Sequence, residues 1–103
     1  EPVGGRGDRG VFSAANEFAS MMHALPNVTL VGYRTGGGSG MPMSNSLPNG
    51  WMVRYSACPM YDSQKRQTEF GIEPDISLHL DDADTRRGVD TIIETARNVI
   101  KGK

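Results

Sequence analysis

The first sustained periodicity in the chain begins at Ala14. Ala14, Phe18, Met21, Met22 and Leu25 recur at helical spacing, and Asn16, Glu17, Ser20 and His23 fall between them. That pattern predicts an amphipathic helix with the larger apolar residues turned inward. Pro26 and Asn27 end it. Val28 to Tyr33 then reads as a strand rich in β-branched residues and apolar on both faces. Met43 to Leu47 and Trp51 to Cys58 flank Pro48-Asn49-Gly50, where Asn-Gly between two strand-like runs predicts a hairpin. In its second arm Trp51, Val53, Tyr55 and Ala57 alternate with Met52, Arg54 and Ser56, giving one apolar face and one mixed face. Residues 59–68 form a polar excursion. Gly71-Ile72-Glu73-Pro74-Asp75 is turn chemistry leading into a short strand, Ile76 to Leu80. Asp81, Asp82 and Asp84 supply N-cap candidates for a last helix, whose apolar stripe is Val89, Ile92, Ile93, Ala96, Val99 and Ile100.

The order helix, strand, hairpin, strand, helix predicts an α/β fold in one domain spanning residues 1–103, with the glycine-rich residues 1–11 as a flexible lead-in. A length of 103 residues buries roughly 60–70% of the unfolded surface, enough for a modest core. The strand at 28–33 wants a neighbour on each side, and few other strands are available to supply them. The chain therefore reads as the second half of a larger sheet domain. A sheet cut in this way leaves apolar faces and unpaired backbone groups, which predicts a homo-oligomer.

Charge removes several function classes. Eleven basic and twelve acidic residues give a net charge of −1, so there is no electrostatic case for nucleic acid or an anionic membrane. No apolar run approaches the ~20 residues of a membrane span. The single cysteine, Cys58, excludes an internal disulfide and an all-cysteine metal site, and reads as a small buried hydrophobe. No signal peptide pattern is visible at Glu1-Pro2-Val3-Gly4-Gly5. Arg6-Gly7-Asp8 matches an integrin-type tripeptide, but chance in a glycine-rich stretch explains it better. The aspartates at 81, 82 and 84 are explained by helix capping, and nothing here calls for a metal or a cofactor.

Two segments carry candidate chemistry. Thr35-Gly36-Gly37-Gly38-Ser39-Gly40 follows the strand at 28–33, and Phe12-Ser13-Ala14-Ala15-Asn16-Glu17-Phe18 lies one helix length upstream. Ser13 precedes an amphipathic helix and is first of all an N-cap candidate, although its capping-box partner would be Asn16 where Glu or Gln is usual. The alternative is a hydroxyl nucleophile at a helix N-terminus, where free N–H groups stabilise negative charge. That role needs a base. His23 lies roughly 15 Å along the same helix, and His79 sits in a predicted strand, so neither serves. The glycine run is not a P-loop, because Met41 and Pro42 stand where lysine and Ser/Thr are required, and position 41 also breaks a dinucleotide fingerprint. A plain loop and a backbone wall for an extended peptide, built on Gly36, Gly37, Gly38 and Ser39, both remain. Met41, Met43, Met52 and Met60 read as core, with an adaptable substrate pocket as the alternative. Glu69 and Glu73 bracket a turn, where either could orient a histidine supplied from elsewhere.

Five phrases occur in a shared order: Phe12 to Phe18, Val31-Gly32, Thr35 to Gly40, Leu47-Pro48-Asn49-Gly50, and Gly71 to Asp75. Over roughly residues 8–80 they resemble the C-terminal half of the catalytic domain of tail-specific (C-terminal processing) serine peptidases. The resemblance implies a crotonase-like fold of stacked ββα units. It makes Ser13 the nucleophile and the Ala14 N–H an oxyanion-hole donor. Many members pair the serine with a lysine at the position held here by Gly38, so the dyad is absent. That points to the tricorn-like branch, with a histidine base from an upstream segment and a glutamate, here Glu69, orienting the polar network. Asp8 stands where relatives often carry asparagine. The implied protein is extracytoplasmic, acts on peptide or unfolded protein, and joins this segment to the upstream half of the same catalytic domain. The reading is a C-terminal fragment of a serine endopeptidase working through an acyl-enzyme, and the fragment alone is expected to be inactive. The rival is a non-catalytic peptide- or ligand-binding module on the same fold.

Overall fold

A computed structural model describes residues 1–102. The elements run β1 (Val3–Gly7), α1 (Ala14–His23), β2 (Val28–Gly32), β3 (Met41–Ser46), β4 (Met52–Cys58), β5 (Ile76–Ser77), α2 (Asp82–Arg86) and α3 (Thr91–Lys101). β1, β2 and β5 form a parallel sheet in the order β1-β2-β5, while β3 and β4 pair only with each other. β2 is thus central. Alternation along it serves two cores. Val28 and Leu30 pack with Ile72 and with Met22 of α1, whereas Val31 packs with Ile92 and Ala96 of α3. The result is a three-layer helix–sheet–helix unit, built as a strand apolar on both faces requires.

Several expectations are corrected. The lead-in at 1–11 is not flexible throughout, because residues 3–7 form an edge strand paired with β2 from Val3↔Val28 to Gly7↔Gly32. Glycine serves close packing here: a Cβ on Gly4 would stand 3.1 Å from Ile100 Cδ1 and 3.3 Å from Ala96 Cβ, so its absence lets α3 approach the sheet. The predicted last helix is two helices. Asp81 caps α2 by accepting from the Ala83 and Asp84 N–H groups, and Asp90 caps α3 by accepting from Ile92 and Ile93. The strand expected to reach Leu80 pairs only at Ile76 and Ser77.

The face of α1 is also corrected. It buries Asn16, Ala19 and Ser20, and leaves Phe18 and Met21 exposed; Leu25, just past its end, is exposed too. Its fully buried stripe is one of small side chains, with Met22 partly buried against the sheet. The hairpin forms with the predicted turn, but Met41–Ser46 and Met52–Cys58 are exposed on both faces. Met41, Met43, Met52 and Cys58 are therefore surface residues and not core, because among the described residues no third strand or helix covers the arm.

Candidate active site

The turn between β1 and α1 ends on Ser13, whose backbone is unusual. Its φ is 58° and its ψ −120°, a combination that L-residues adopt only under constraint. The constraint is visible. The Ser13 N–H donates to the Gly37 carbonyl at 2.8 Å, and its own carbonyl accepts from the Glu17 N–H at 3.0 Å. Ser13 occupies the N-cap position but makes no side-chain capping bond. The default expectation for this serine thus gives way to an exposed, unengaged hydroxyl. Among the described residues the Ala14 N–H also has no acceptor, as the first turn of a helix allows.

The hydroxyl faces a cleft of about 330 Å³ lined by Phe12, Ser13, Gly38, Gly40, Pro42, Arg54, Tyr55, Ser56 and Glu69. The structure thus brings Ser13 and Glu69 to one cavity from positions far apart in sequence. Glu69 is held by two donors, the Gly40 N–H to Oε2 at 2.7 Å and the Ser56 hydroxyl to Oε1 at 3.2 Å. Glu73 lies elsewhere and pairs with Arg34 at 2.8 Å.

Most of the glycine loop works inside the fold. Gly36 N–H donates to the Val11 carbonyl, Gly37 accepts from Ser13, and Gly38 N–H donates to the Glu69 carbonyl, the last at 2.8 Å. A Cβ on Gly37 would sit 2.1 Å from the Glu69 carbonyl oxygen, and one on Gly38 2.2 Å from the Phe12 ring. Both also have positive φ, so the loop can be closed only by glycine there. Of Gly36, Gly37, Gly38 and Ser39, Gly38 lines the cleft. Ser39 is buried beneath it.

Beneath the serine lies a buried polar hub that periodicity did not reveal. Asn16 is fully buried; its amide donates to Ser39 Oγ and, at 2.9 Å, to the Thr68 carbonyl, while its carbonyl accepts from the Thr35 hydroxyl. The Thr35 oxygen accepts in turn from the Ile72 N–H at 2.6 Å, and Thr68 Oγ1 donates to Glu17 at 3.1 Å. One amide thereby ties α1, the glycine loop and the turn before β5 into one body. The available signal was the i, i+3, i+4 spacing of Asn16, Ala19 and Ser20, small side chains on one stripe.

The loop before Ser13 is set by charge. Asp8 pairs with Arg6 and accepts from the Gly10 N–H at 2.8 Å, and Arg6 also reaches Asp90 at 3.1 Å. Hydrogen bonding from Arg6 lowers the Asp8 carboxyl below its ordinary range, and the same bond raises the guanidinium. The Arg6-Gly7-Asp8 tripeptide is thus engaged internally. Neither histidine lines the cleft: His23 meets Asp75 at 3.1 Å, and His79 packs edge-on against Tyr33 with ring centroids 4.7 Å apart.

Comparison with known proteins places this arrangement. Among solved structures, that of a candidate peptidase from Parabacteroides merdae superposes with a TM-score of 0.91 at 50% identity, over 96% of this chain and 31% of its own. Mature CPAF in complex with lactacystin gives 0.76 at 21% identity, over 96% of this chain and 19% of its own. A lipoprotein from Streptococcus agalactiae gives 0.61 at 20% identity, over 85% and 31%. The last two show a shared fold alone. The chain spans less than a third of the length of each of these structures. No curated protein matches its sequence. The sequence pattern of peptidase family S41 matches residues 7–78, from the end of β1 past β5 and therefore across Ser13, the glycine loop and Glu69, and the chain belongs to that family.

Proposed function

We propose that this chain is the C-terminal part of the catalytic domain of a serine endopeptidase, of the tail-specific, tricorn-like kind, with a crotonase-like ββα architecture completed by an upstream segment. The observation that carries this reading is Ser13 itself: a strained N-cap serine with an unbonded hydroxyl, sharing a cleft with Glu69. In this reading Ser13 Oγ attacks the carbonyl carbon of a peptide bond in an unfolded substrate. A histidine from the upstream segment takes the hydroxyl proton and returns it to the departing amine, and water then hydrolyses the acyl-serine. The Ala14 N–H faces the developing oxyanion, a contribution of about 3–4 kcal/mol for a single such donor. Glu69 has acceptor capacity beyond its bonds to Gly40 and Ser56, and orients the incoming base. The uncovered apolar surface is closed in the whole protein by that upstream segment, and in the isolated chain by a second copy.

A fluorophosphonate, which phosphonylates an activated serine with loss of fluoride, tests the nucleophile in the full-length protein. A single adduct on the peptide containing Ser13, absent in Ser13→Ala, is the expected outcome. An unmodified protein, or an adduct elsewhere, overturns the assignment. That outcome would favour a non-catalytic peptide-binding module, a reading to which the absence of any histidine or lysine lining the cleft gives some support among the described residues. The 103-residue chain alone should hydrolyse no peptide measurably, since groups that act as a unit lose several orders of magnitude together. Hydrolysis of a fluorogenic unfolded substrate by that chain, abolished in Ser13→Ala, would place the base within it.

A further inference from the structure

The cleft in front of Ser13 contains one charged side chain that the reaction above does not use. Arg54 is the only charged residue between Met41 and Cys58. It lies on β4 two residues before Ser56, so the pleat places both side chains on the same face of the hairpin, roughly 7 Å apart along the strand. Ser56 is fixed on that face by its bond to Glu69. Across the ladder Arg54 faces Ser44, too short to confine it.

Among the described residues Arg54 shares the lack of a side-chain partner with Arg9 and Arg86, and of these three it is the one that lines the cleft. Arg6, Arg34, Arg66, Arg87 and Arg97 each hold a carboxylate. The Arg54 guanidinium has neither an ion pair nor a hydrogen bond among the described residues. Among the described residues Glu69 is the only acid lining the cleft, and its oxygens are turned to Gly40 and Ser56, outside ion-pair distance of the guanidinium. A guanidinium carries five N–H donors in a fork that fits a carboxylate. Standing unpaired beside the reacting hydroxyl, it attracts an anionic group on whatever enters.

We infer that Arg54 is a specificity-determining residue that selects peptides carrying a carboxylate close to the bond presented to Ser13. The inference rests on the reading of Ser13 as nucleophile. The carboxylate has two sources, an Asp or Glu side chain, or the free C-terminus of a peptide cut near its end.

The test is equilibrium binding of fluorescent peptides to the full-length protein carrying Ser13→Ala, which removes turnover. Three peptides of one sequence are compared: Glu near the scissile position with a C-terminal amide, Gln there with the amide, and Gln with a free C-terminal acid. At low salt one carboxylate peptide should bind about 5-fold tighter than the neutral one, the upper range for a pair open to solvent. Which of the two gains identifies the source. The preference should vanish in Ser13→Ala/Arg54→Met and return in part with Arg54→Lys, which keeps the charge without the fork. Equal binding of all three peptides, no binding by any, or a preference that survives Arg54→Met would overturn the inference. Unchanged melting temperature in Arg54→Met checks its folding. Fluorophosphonate labelling of the unsubstituted protein reports on the nucleophile separately, so labelling without carboxylate preference removes Arg54 alone.

Discussion

At Ser13 the backbone sits where glycine would be comfortable and serine is not. A non-glycine residue in such a region costs on the order of 1–3 kcal/mol, and the bonds to Gly37 and Glu17 hold it there. Ser13→Gly should therefore raise stability by about 1 kcal/mol, a rise of roughly 4–8 °C in melting temperature for a domain of this size, while abolishing fluorophosphonate labelling. A fall in melting temperature would show that the conformation is not strained. Asn16 has the opposite character. Asn16→Leu leaves the Thr68 carbonyl, the Thr35 hydroxyl and Ser39 Oγ without their buried partner. Each such loss costs about 1–3 kcal/mol. The variant should lower the urea midpoint by the equivalent of at least 2 kcal/mol, and a change under 0.5 kcal/mol, the ordinary surface value, would remove Asn16 from its place as hub.

At the scale of elements, α3 is anchored by one carboxylate with two duties: Asp90 caps the helix through Ile92 and Ile93 and pairs with Arg6 of β1. The bond from the Ile93 N–H, with the Arg6 charge and the Ile92 N–H, holds the Asp90 carboxyl below its ordinary range. Asp8 is lowered in the same sense by Arg6. Because these groups bind protons less readily folded than unfolded, their contribution is complete above the unfolded value of about 3.9 and is lost as pH falls through the lower folded values. Thermal melts between pH 6 and pH 2.5 should show stability falling below about pH 4, and Asp90→Ala should be less stable at pH 6, by about 1 kcal/mol, with a shallower decline. An equally steep decline in the variant would exclude Asp90 from the acid response. Asp90 also shows how far the sequence could be read. Asp81 caps as the aspartate cluster predicts, but Gly88 stands just before the apolar stripe and Asp90 within it, so the stripe alone does not mark the break or the second cap. β2, the hairpin turn and the first helix were legible because their periodicity and turn chemistry are local. β1 was not, since its glycines carry no apolar signal and are ordered by pairing with β2. The inward face of α1 misled for a related reason: what it meets is the polar loop at 35–39, so small hydrogen-bonding side chains belong there and bulk is turned away.

The molecule measures 57 × 34 × 16 Å, a thin plate with the hairpin as an arm. Large apolar side chains are open on it: Phe18 beside a groove of about 390 Å³ whose floor includes the core residues Val28 and Leu30, and Trp51, Met52 and Tyr55 along the arm. Surfaces of this kind are uncommon on stable monomers. The isolated chain is expected to self-associate, burying on the order of 1,000 Å² or more in a two-fold pair. Sedimentation velocity showing a monomer at high micromolar concentration would exclude it. Trp51 is the only tryptophan of the chain and lies 70% exposed beside the hairpin turn, away from both hydrophobic clusters. Its emission should therefore already be that of a hydrated indole in the native state, and change little when urea melts the sheet. Excited at 295 nm, the protein would look unfolded while folded; a blue shift would mark instead the moment at which another surface closes over the arm.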